Sequence, residues 1–456
     1  MIDNLMKKQK ITIILMFFAL SLPLTAQTLS LKQCIEYAKQ NNSNIKIASL
    51  NSEVSGKLVN EQIGNALPQI DFNGSLTNNL IVTTSLLPAE FIGGAPGTFI
   101  PVKMGTKYSA AGNIQLTQKI IDPSVWIGLK AAKLSADLSL QNIQQTDEQT
   151  FYNVSSAYYR ALVIQKQFDN LHAILAASEQ SLKSTELRYK NGMAKKIDVD
   201  KIRVSYNNTK SQVEQTELNC KQALNNLKYS IGMSVDSSMI ILDSLAEDFW
   251  ENYNGPKENN SNLFENRIDY QMRKTNIALY EADKLNNIAA YLPTLSFFAN
   301  YGYQAMRSEF DIFKSGKEWY TSSAIGLNLK IPIFSGFGRL AKVEQSQLNI
   351  EVAQENLRLS EQSIKVDISN YNIQYRTALD NIKNEKENLA LAESVYKNTQ
   401  LEFTQGAGSS LDLVQAESSL RETQNNYYTR LLTLYVAKLD KEKAEGTLIN
   451  YINNLK

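Results

Sequence analysis

The chain of 456 residues is long enough for several domains of ordinary size, yet only 9 Pro and 20 Gly punctuate it, so its elements must be long. With 47 basic and 46 acidic side chains the formal charge is +1, which removes the general electrostatic case for nucleic acid as a partner. A single histidine, His172, and two cysteines, Cys34 and Cys220, are too few for His-based metal sites or His-centred catalytic triads, so neither an enzyme nor a cofactor is expected.

Lys7, Lys8 and Lys10 precede a largely apolar run at residues 11–24, which is followed by Thr25 and Ala26. This layout predicts a secretory signal over 1–26, cleaved after Ala26. At about 1.5 Å per residue the run is too short for a hydrocarbon core of roughly 30 Å. No later stretch holds 18 consecutive apolar residues, so a mature chain that enters a membrane must do so as a closed β-barrel. Cys34 lies in SLKQC, away from any lipoprotein-type signal, so no acylation is expected; the spacing leaves open whether it pairs with Cys220.

Residues 31–66 predict a helix. Then the period changes to two: Ile70, Phe72, Gly74, Leu76, Leu80 and Val82 alternate with Asp71, Asn73, Ser75, Thr77 and Asn79. Tyr108, Ala110, Ile114 and Leu116 alternate in the same way with Ser109, Asn113, Gln115 and Thr117, after a turn-rich loop at 83–107. The next stretch, 129–191, contains no Gly or Pro and predicts one helix of about 100 Å. After Gly192 a second Gly-free run returns over 193–231, making a long antiparallel hairpin. Residues 233–265 form a turn-rich connector, with a short strand at 240–242, expected to pack against the helices.

The second half repeats this order. A helix at 266–291 leads to Leu295, Phe297, Ala299, Tyr301 and Tyr303, then a loop at 307–318, then Trp319, Thr321, Ile325, Leu327, Leu329 and Ile331. These four strands, in two hairpins, are each about the 9 to 11 residues that a tilted strand needs to cross a bilayer, and Tyr301, Tyr303, Trp319 and Tyr320 are placed to form an interfacial belt. The runs 339–405 and 409–445, either side of Gly406, make the second helical hairpin, and 447–456 is read as a tail. At a constant offset of 214, Gly192 aligns with Gly406, Asp198 with Asp412 and Gly232 with Gly446. The organisation read from this duplication is a signal at 1–26, repeats at 27–232 and 266–446, the connector 233–265 between them, and the tail.

Four strands cannot close a membrane barrel, whose smallest form has eight. A homotrimer would contribute twelve, leave no strand edge unpaired, and continue as helical hairpins. The order helix, ALPQI, β-hairpin, long helix and RYKNGMAKKIDVDKIRVSY, repeated with IPIFSGFGR and EFTQGAGSSLDLVQAESSL, resembles the TolC-like outer membrane efflux protein family across roughly residues 30–450. The marks that carry the resemblance are the duplicated tip triplets, Ile197-Asp198-Val199 and Leu411-Asp412-Leu413, and the strand exit Phe334-Ser335-Gly336. It implies a mainly α chain with a β-barrel contribution: a trimeric, passive channel-tunnel, seated in outer membrane lipid and extending into the periplasm. It further implies coupling through a periplasmic adaptor to an inner-membrane transporter of an efflux or type I secretion system. The tips that meet the adaptor would be Gly192, Met193, Ala194 and Lys195, with Gly406, Ala407, Gly408 and Ser409. Asp198 and Asp412, joined by Asp200, would bring a ring of carboxylates to the periplasmic end, or serve as helix caps only. The competing reading is a secreted periplasmic coiled-coil structural or adaptor protein with no barrel, which explains the helices but not two β-hairpins of bilayer length at matched positions. Drug, metal and protein cargo all stay open.

Overall fold

The computed structural model describes residues 27–241 and 263–454. The signal segment and residues 242–262 of the connector lie outside the described residues, and so does the expectation that this connector packs on the helices. The described residues divide into two compact units: residues 51–140 with 273–357, and residues 27–50 with 141–241, 263–272 and 358–454. Each unit draws on both halves of the sequence.

In chain order, β1 (Gln27–Leu29), α1 (Leu31–Asn41) and α2 (Ser43–Gly64) lead to β2 (Gln69–Asn78). An insertion then carries β3 (Thr84–Pro88) and β4 (Phe99–Lys103), before β5 (Tyr108–Ile121), α3 (Pro123–Lys190) and α4 (Lys196–Ile231). The rest comprises β6 (Met239–Ile241), α5 (Ile268–Ala289), β7 (Thr294–Arg307), β8 (Tyr320–Lys330), α6 (Gly338–Gln405), α7 (Ser410–Ala444) and α8 (Leu448–Asn453). The helix expected over 31–66 is broken at Asn42, whose backbone is extended at φ −70° and ψ 124°. Its side chain fixes the corner, because Nδ2 donates to the Ser230 carbonyl at 2.7 Å and Oδ1 accepts from the Asn44 N–H at 2.8 Å.

In the unit of residues 51–140 and 273–357, the sheet has the order β2-β5-β7-β8 and is antiparallel throughout. The two expected hairpins are thus one sheet, joined by β5 against β7. Its register sorts the side chains by chemistry. Ile70 lies opposite Leu116, Phe72 opposite Ile114, Ile114 opposite Tyr301, and Phe297 opposite Leu327. Asn73 lies opposite Asn113, Gln115 opposite Asn300, and Ser296 opposite Asn328. Because successive residues point to opposite faces, the first set makes an apolar face four strands wide and the second a polar one. Both faces of β2 are exposed along its whole length. The outer strands β2 and β8 pair on one side only and run antiparallel to each other, which leaves two complementary open edges. The loop expected at 83–107 holds a hairpin of its own, β3 against β4, running from Thr84 opposite Lys103 to Pro88 opposite Phe99.

The helices come in matched lengths: α3 and α6 have 68 residues each, α2 and α5 have 22 each, and α4 and α7 have 36 and 35. At 1.5 Å per residue the longest are about 100 Å. No helix among the described residues is long and apolar enough to cross a membrane. Within the second unit, the buried residues of α4 recur at alternating steps of four and three: Thr209, Val213, Thr216, Cys220, Ala223 and Leu227. On α7 they are Leu413, Glu417, Leu420, Gln424, Tyr427, Leu431 and Leu434. This is the heptad seam of left-handed coiled-coil packing. Leu227, Ile231, Leu431 and Leu434 join Tyr158 in a large apolar core, to which α8, in the segment read as a tail, adds Leu448 and Ile452. Neither cysteine is in a disulfide, and both are buried.

The repeated glycines at the ends of α4 and α7 do the same work. Gly232 and Gly446 are left-handed, at φ 77° and 69°, and a Cβ on either would fall within 2.6 Å of a backbone oxygen, that of Asn41 or Asn266. Each closes its helix against the start of its own repeat, where no side chain fits.

Candidate functional site

The far ends of the two helical hairpins carry most of the residues singled out from the sequence. At the first tip, α3 ends as Gly192 turns left-handed at φ 72°, with the Gly192 N–H on Tyr189 O at 3.0 Å and the Met193 N–H on Arg188 O at 2.8 Å. Lys195 then starts α4, and its N–H donates to Asp198 Oδ2 at 3.3 Å. At the second tip Gly406, at φ 81°, donates to Phe403 O, while the N–H groups of Ala407 and Gly408 share Glu402 O at 2.9 and 3.1 Å. Gly408 lies so close to that turn that a Cβ would meet the Phe403 nitrogen at 3.0 Å. Ser409 caps α7: its Oγ accepts from the Asp412 N–H at 3.1 Å and donates to Asp412 Oδ2 at 2.7 Å. Asp198 and Asp412 are therefore both helix-start carboxylates, as their matched positions suggest. Met193, Lys195, Ala407, Ser409 and Asp412 are exposed, while Ala194 and Asp200 are half-buried.

What the sequence does not reveal is that the two tips are bonded together. Ser410 Oγ donates to Asp198 Oδ1 at 2.6 Å. Arg188 donates to the carbonyls of Phe403, at 3.0 Å, and Thr404, and its guanidinium stands 5.6 Å from the Phe403 ring. A cation at the carbonyl end of α6 is favoured by the helix dipole as well as by these bonds. Farther along the seam, Glu417 is 3 % exposed and accepts from Ser205 Oγ at 3.1 Å and Thr209 Oγ1 at 2.9 Å. Arg421 Nη1 donates to Thr209 Oγ1 and Gln212 Oε1. Burial, and then the Glu417 charge, push the nearby Tyr396 hydroxyl up to about 12. The one sequence signal for these residues is asymmetry between the repeats: at the offset of 214, Arg188 stands over Glu402, Arg203 over Glu417 and Asn207 over Arg421. Positions that differ within a duplication are those free to bond across it.

In the sheet, Tyr301 and Tyr303 lie on the apolar face, edge to face at 5.3 Å, with their hydroxyls 2.8 Å apart. Trp319 precedes β8 directly, whereas Tyr320 lies opposite Gln304 and shares the polar face.

The family model described as outer membrane efflux protein matches residues 34–233 and 261–439, well over half of the sequence. The chain belongs to the outer membrane efflux protein family. Among curated relatives, the outer membrane protein TolC of Vibrio cholerae serotype O1 is 22 % identical over 344 residues, 74 % of this chain and 77 % of that protein. The alkaline protease secretion protein AprF of Pseudomonas aeruginosa is 21 % identical over 359 residues, 76 % of this chain and 73 % of its own. Among solved structures, the transmembrane channel CusC superposes with a TM-score of 0.72 over 91 % of each chain, at 16 % identity. The fold is therefore that of these channels, mainly helical with a β-barrel contribution, and this efflux-family protein resides in the outer membrane and extends into the periplasm. Its family is one of channels and not an enzyme class.

The Asp198 carboxyl is held below the usual carboxylate range, first by the Ser410 hydroxyl and then by the Lys195 N–H. A lowered carboxylate contributes stability that is complete above its unfolded pKa and is lost as pH falls through the folded one. Ser410→Ala should lower the melting temperature of the detergent-solubilised protein by about 1–3 °C at neutral pH. The difference should shrink as the pH falls below the usual carboxylate range and vanish once the parent carboxyl is protonated as well; thermal scans from neutral to strongly acidic buffer check both parts.

Proposed function

We propose that three copies of this chain close a twelve-stranded barrel in outer membrane lipid, β8 of each copy pairing with β2 of the next. The chain is an exit duct for efflux or type I secretion. In this reading it is passive and is coupled through a periplasmic adaptor to an inner-membrane transporter. The observation that carries the reading is the four-stranded sheet with one apolar face, one polar face and two antiparallel open edges. Lipid satisfies the first face, water in a pore the second, and only a further copy satisfies the edges. A soluble coiled-coil protein would leave Ile70, Phe72, Ile325 and Leu327 exposed to water with no purpose. The repeats at 27–232 and 266–446 each supply two barrel strands and one helical hairpin of the tunnel, with 233–265 as the connector between them. Mass measurement of the detergent-extracted protein should give a trimer. A monomer or dimer that still conducts ions across a planar bilayer would overturn the reading.

The tips Gly192, Met193, Ala194 and Lys195, with Gly406, Ala407, Gly408 and Ser409, are the adaptor-docking surface in this proposal. The exposure of Met193 and Ser409 on tight, backbone-bonded turns supports it, since such turns present side chains without having to order first. Ala194→Trp or Ser409→Trp should abolish export while the trimer and its outer membrane level stay unchanged. Export that survives both variants would move docking elsewhere.

Asp198, Asp412 and Asp200 form the carboxylate constriction in the same proposal. Asp198 suits the role because the Ser410 hydroxyl and the Lys195 N–H hold its carboxyl below the usual carboxylate range. Rings of carboxylates in a narrow passage favour cations, most clearly in dilute salt where the Debye length exceeds about 10 Å. The double variant Asp198→Ala, Asp412→Ala should lose cation selectivity and block by trivalent cations in single-channel recordings. An unchanged reversal potential would leave these residues as caps. Tyr301, Tyr303 and Trp319 are assigned to the outer lipid interface, and Tyr320 to the water side of the same rim.

A further inference from the structure

The exit from β8 departs from ordinary backbone geometry. Gly336 and Phe337 are consecutive left-handed residues, at φ 60° and 64°, and Phe337 is the one non-glycine with positive φ among the described residues. In this region the Cβ crowds the neighbouring carbonyl, so a bulky side chain is held there at a conformational cost that glycine would avoid. Core packing does not compensate that cost, because Phe337 is 71 % exposed. Its ring meets that of Phe334, edge to face at 5.6 Å, and Phe334 is itself 75 % exposed.

The surroundings specify what would cover this pair. Ile325, Leu327 and Leu329 belong to the apolar face of the sheet, and the exposed odd-numbered series runs past the end of the strand through Ile331 and Ile333. The two phenyl rings come next in the chain. Arg339, whose guanidinium is 5.8 Å from the Tyr291 ring, and exposed Lys342 follow. Between Lys330, on the polar face, and Arg339 there is no charged residue. Aliphatic, then aromatic, then cationic is the sequence of environments met on leaving a bilayer: hydrocarbon, ester level, phosphate.

We propose that Phe334 and Phe337 anchor the chain in the periplasm-facing leaflet of the outer membrane. Their rings seat at the ester level of a glycerophospholipid, with Arg339 and Lys342 facing its phosphate. The inference rests on the reading that the sheet spans the membrane, and adds that the strained corner is retained because it aims a ring at lipid.

Strain and anchoring predict opposite signs for one substitution, so the two separate cleanly. The full-length protein is folded into vesicles of phosphatidylethanolamine and phosphatidylglycerol, and the membrane-inserted fraction is read by protease protection. Phe337→Gly relieves the backbone and removes the ring; the inserted fraction should fall by about tenfold, and Phe337→Trp should restore it. The added tryptophan, measured against the three of the parent chain, should be quenched by lipids brominated near the ester end of the acyl chain and not by aqueous iodide. Insertion of Phe337→Gly at or above the parent level would overturn the anchor, as would iodide quenching of the new tryptophan. Loss of trimer in detergent with no quenching by brominated lipid would mean that a neighbouring copy covers the rings, and would also overturn it. Failure of the parent itself to insert would remove the spanning reading beneath the inference rather than the anchor alone.

Discussion

Backbone N–H and C=O groups on the edge of a β-sheet find no partner in hydrocarbon, and each one left unpaired there costs several kcal/mol. The rest of this chain is arranged around that constraint. A sheet of β2, β5, β7 and β8 satisfies its interior ladders but offers two open edges, and these run antiparallel to each other. An odd number of strands would have left the edges parallel and a different closure. The duplication supplies the even number, because each half brings one pair of strands and one helical hairpin. The chemistry of the two faces follows from the same alternation that sets the register, since a slip of one residue would exchange Phe72 for Asn73 along the whole strand.

A second gradient runs along the coiled-coil seam. Around Leu227, Ile231, Leu431 and Leu434 the packed positions are apolar and fully buried. Toward the tips polar positions are interleaved with apolar ones: Thr216, Thr209 and Ser205 alternate with Val213 and Ile202 on one helix, and Gln424 and Glu417 with Leu420 and Leu413 on the other. Hydroxyls bonded to a buried carboxylate hold a defined geometry but contribute less net stability than leucines do, because each bond replaces one with water. Local opening is easiest where apolar burial is smallest. The tip-to-tip bonds of Arg188 and of Ser410 with Asp198 add to the smaller apolar cluster of Ile202, Phe403 and Leu413 in holding the two tips together.

Much of this order is legible in the amino-acid sequence, and where it is not the reasons are physical. Alternation identified all four sheet strands because each has one face toward a different solvent, and long Gly-free and Pro-free runs identified the 68-residue helices. Alternation overstates the length of β2, because it continues through Leu80 and Val82 past the last paired residue, Asn78. The β3–β4 hairpin was hidden by its prolines: Pro88 and Pro101 lie on its rim, where a strand needs no donor. The break at Asn42 has little local sign beyond its bond to the Asn44 N–H, since its other bond goes to the Ser230 carbonyl, far along the chain. The site was half legible for a related reason. Gly192, Gly406, Asp198 and Asp412 announce themselves by repeating, but the bonds of Arg188, Ser410 and Glu417 arise from positions that do not repeat, and only the packing of one hairpin on the other brings them together.

The claim on which everything else depends is that the apolar face of the sheet meets lipid while the polar face meets water. Single cysteines placed along β8 at Ser322, Ile325, Leu327 and Asn328 test it directly, against a background of two native thiols that are both buried. In intact outer membranes, a charged, membrane-impermeant thiol reagent should label the variants at Ser322 and Asn328 and leave those at Ile325 and Leu327 unmodified until detergent is added. Equal labelling of both sets before detergent would mean that water reaches both faces, and would contradict a membrane-spanning sheet.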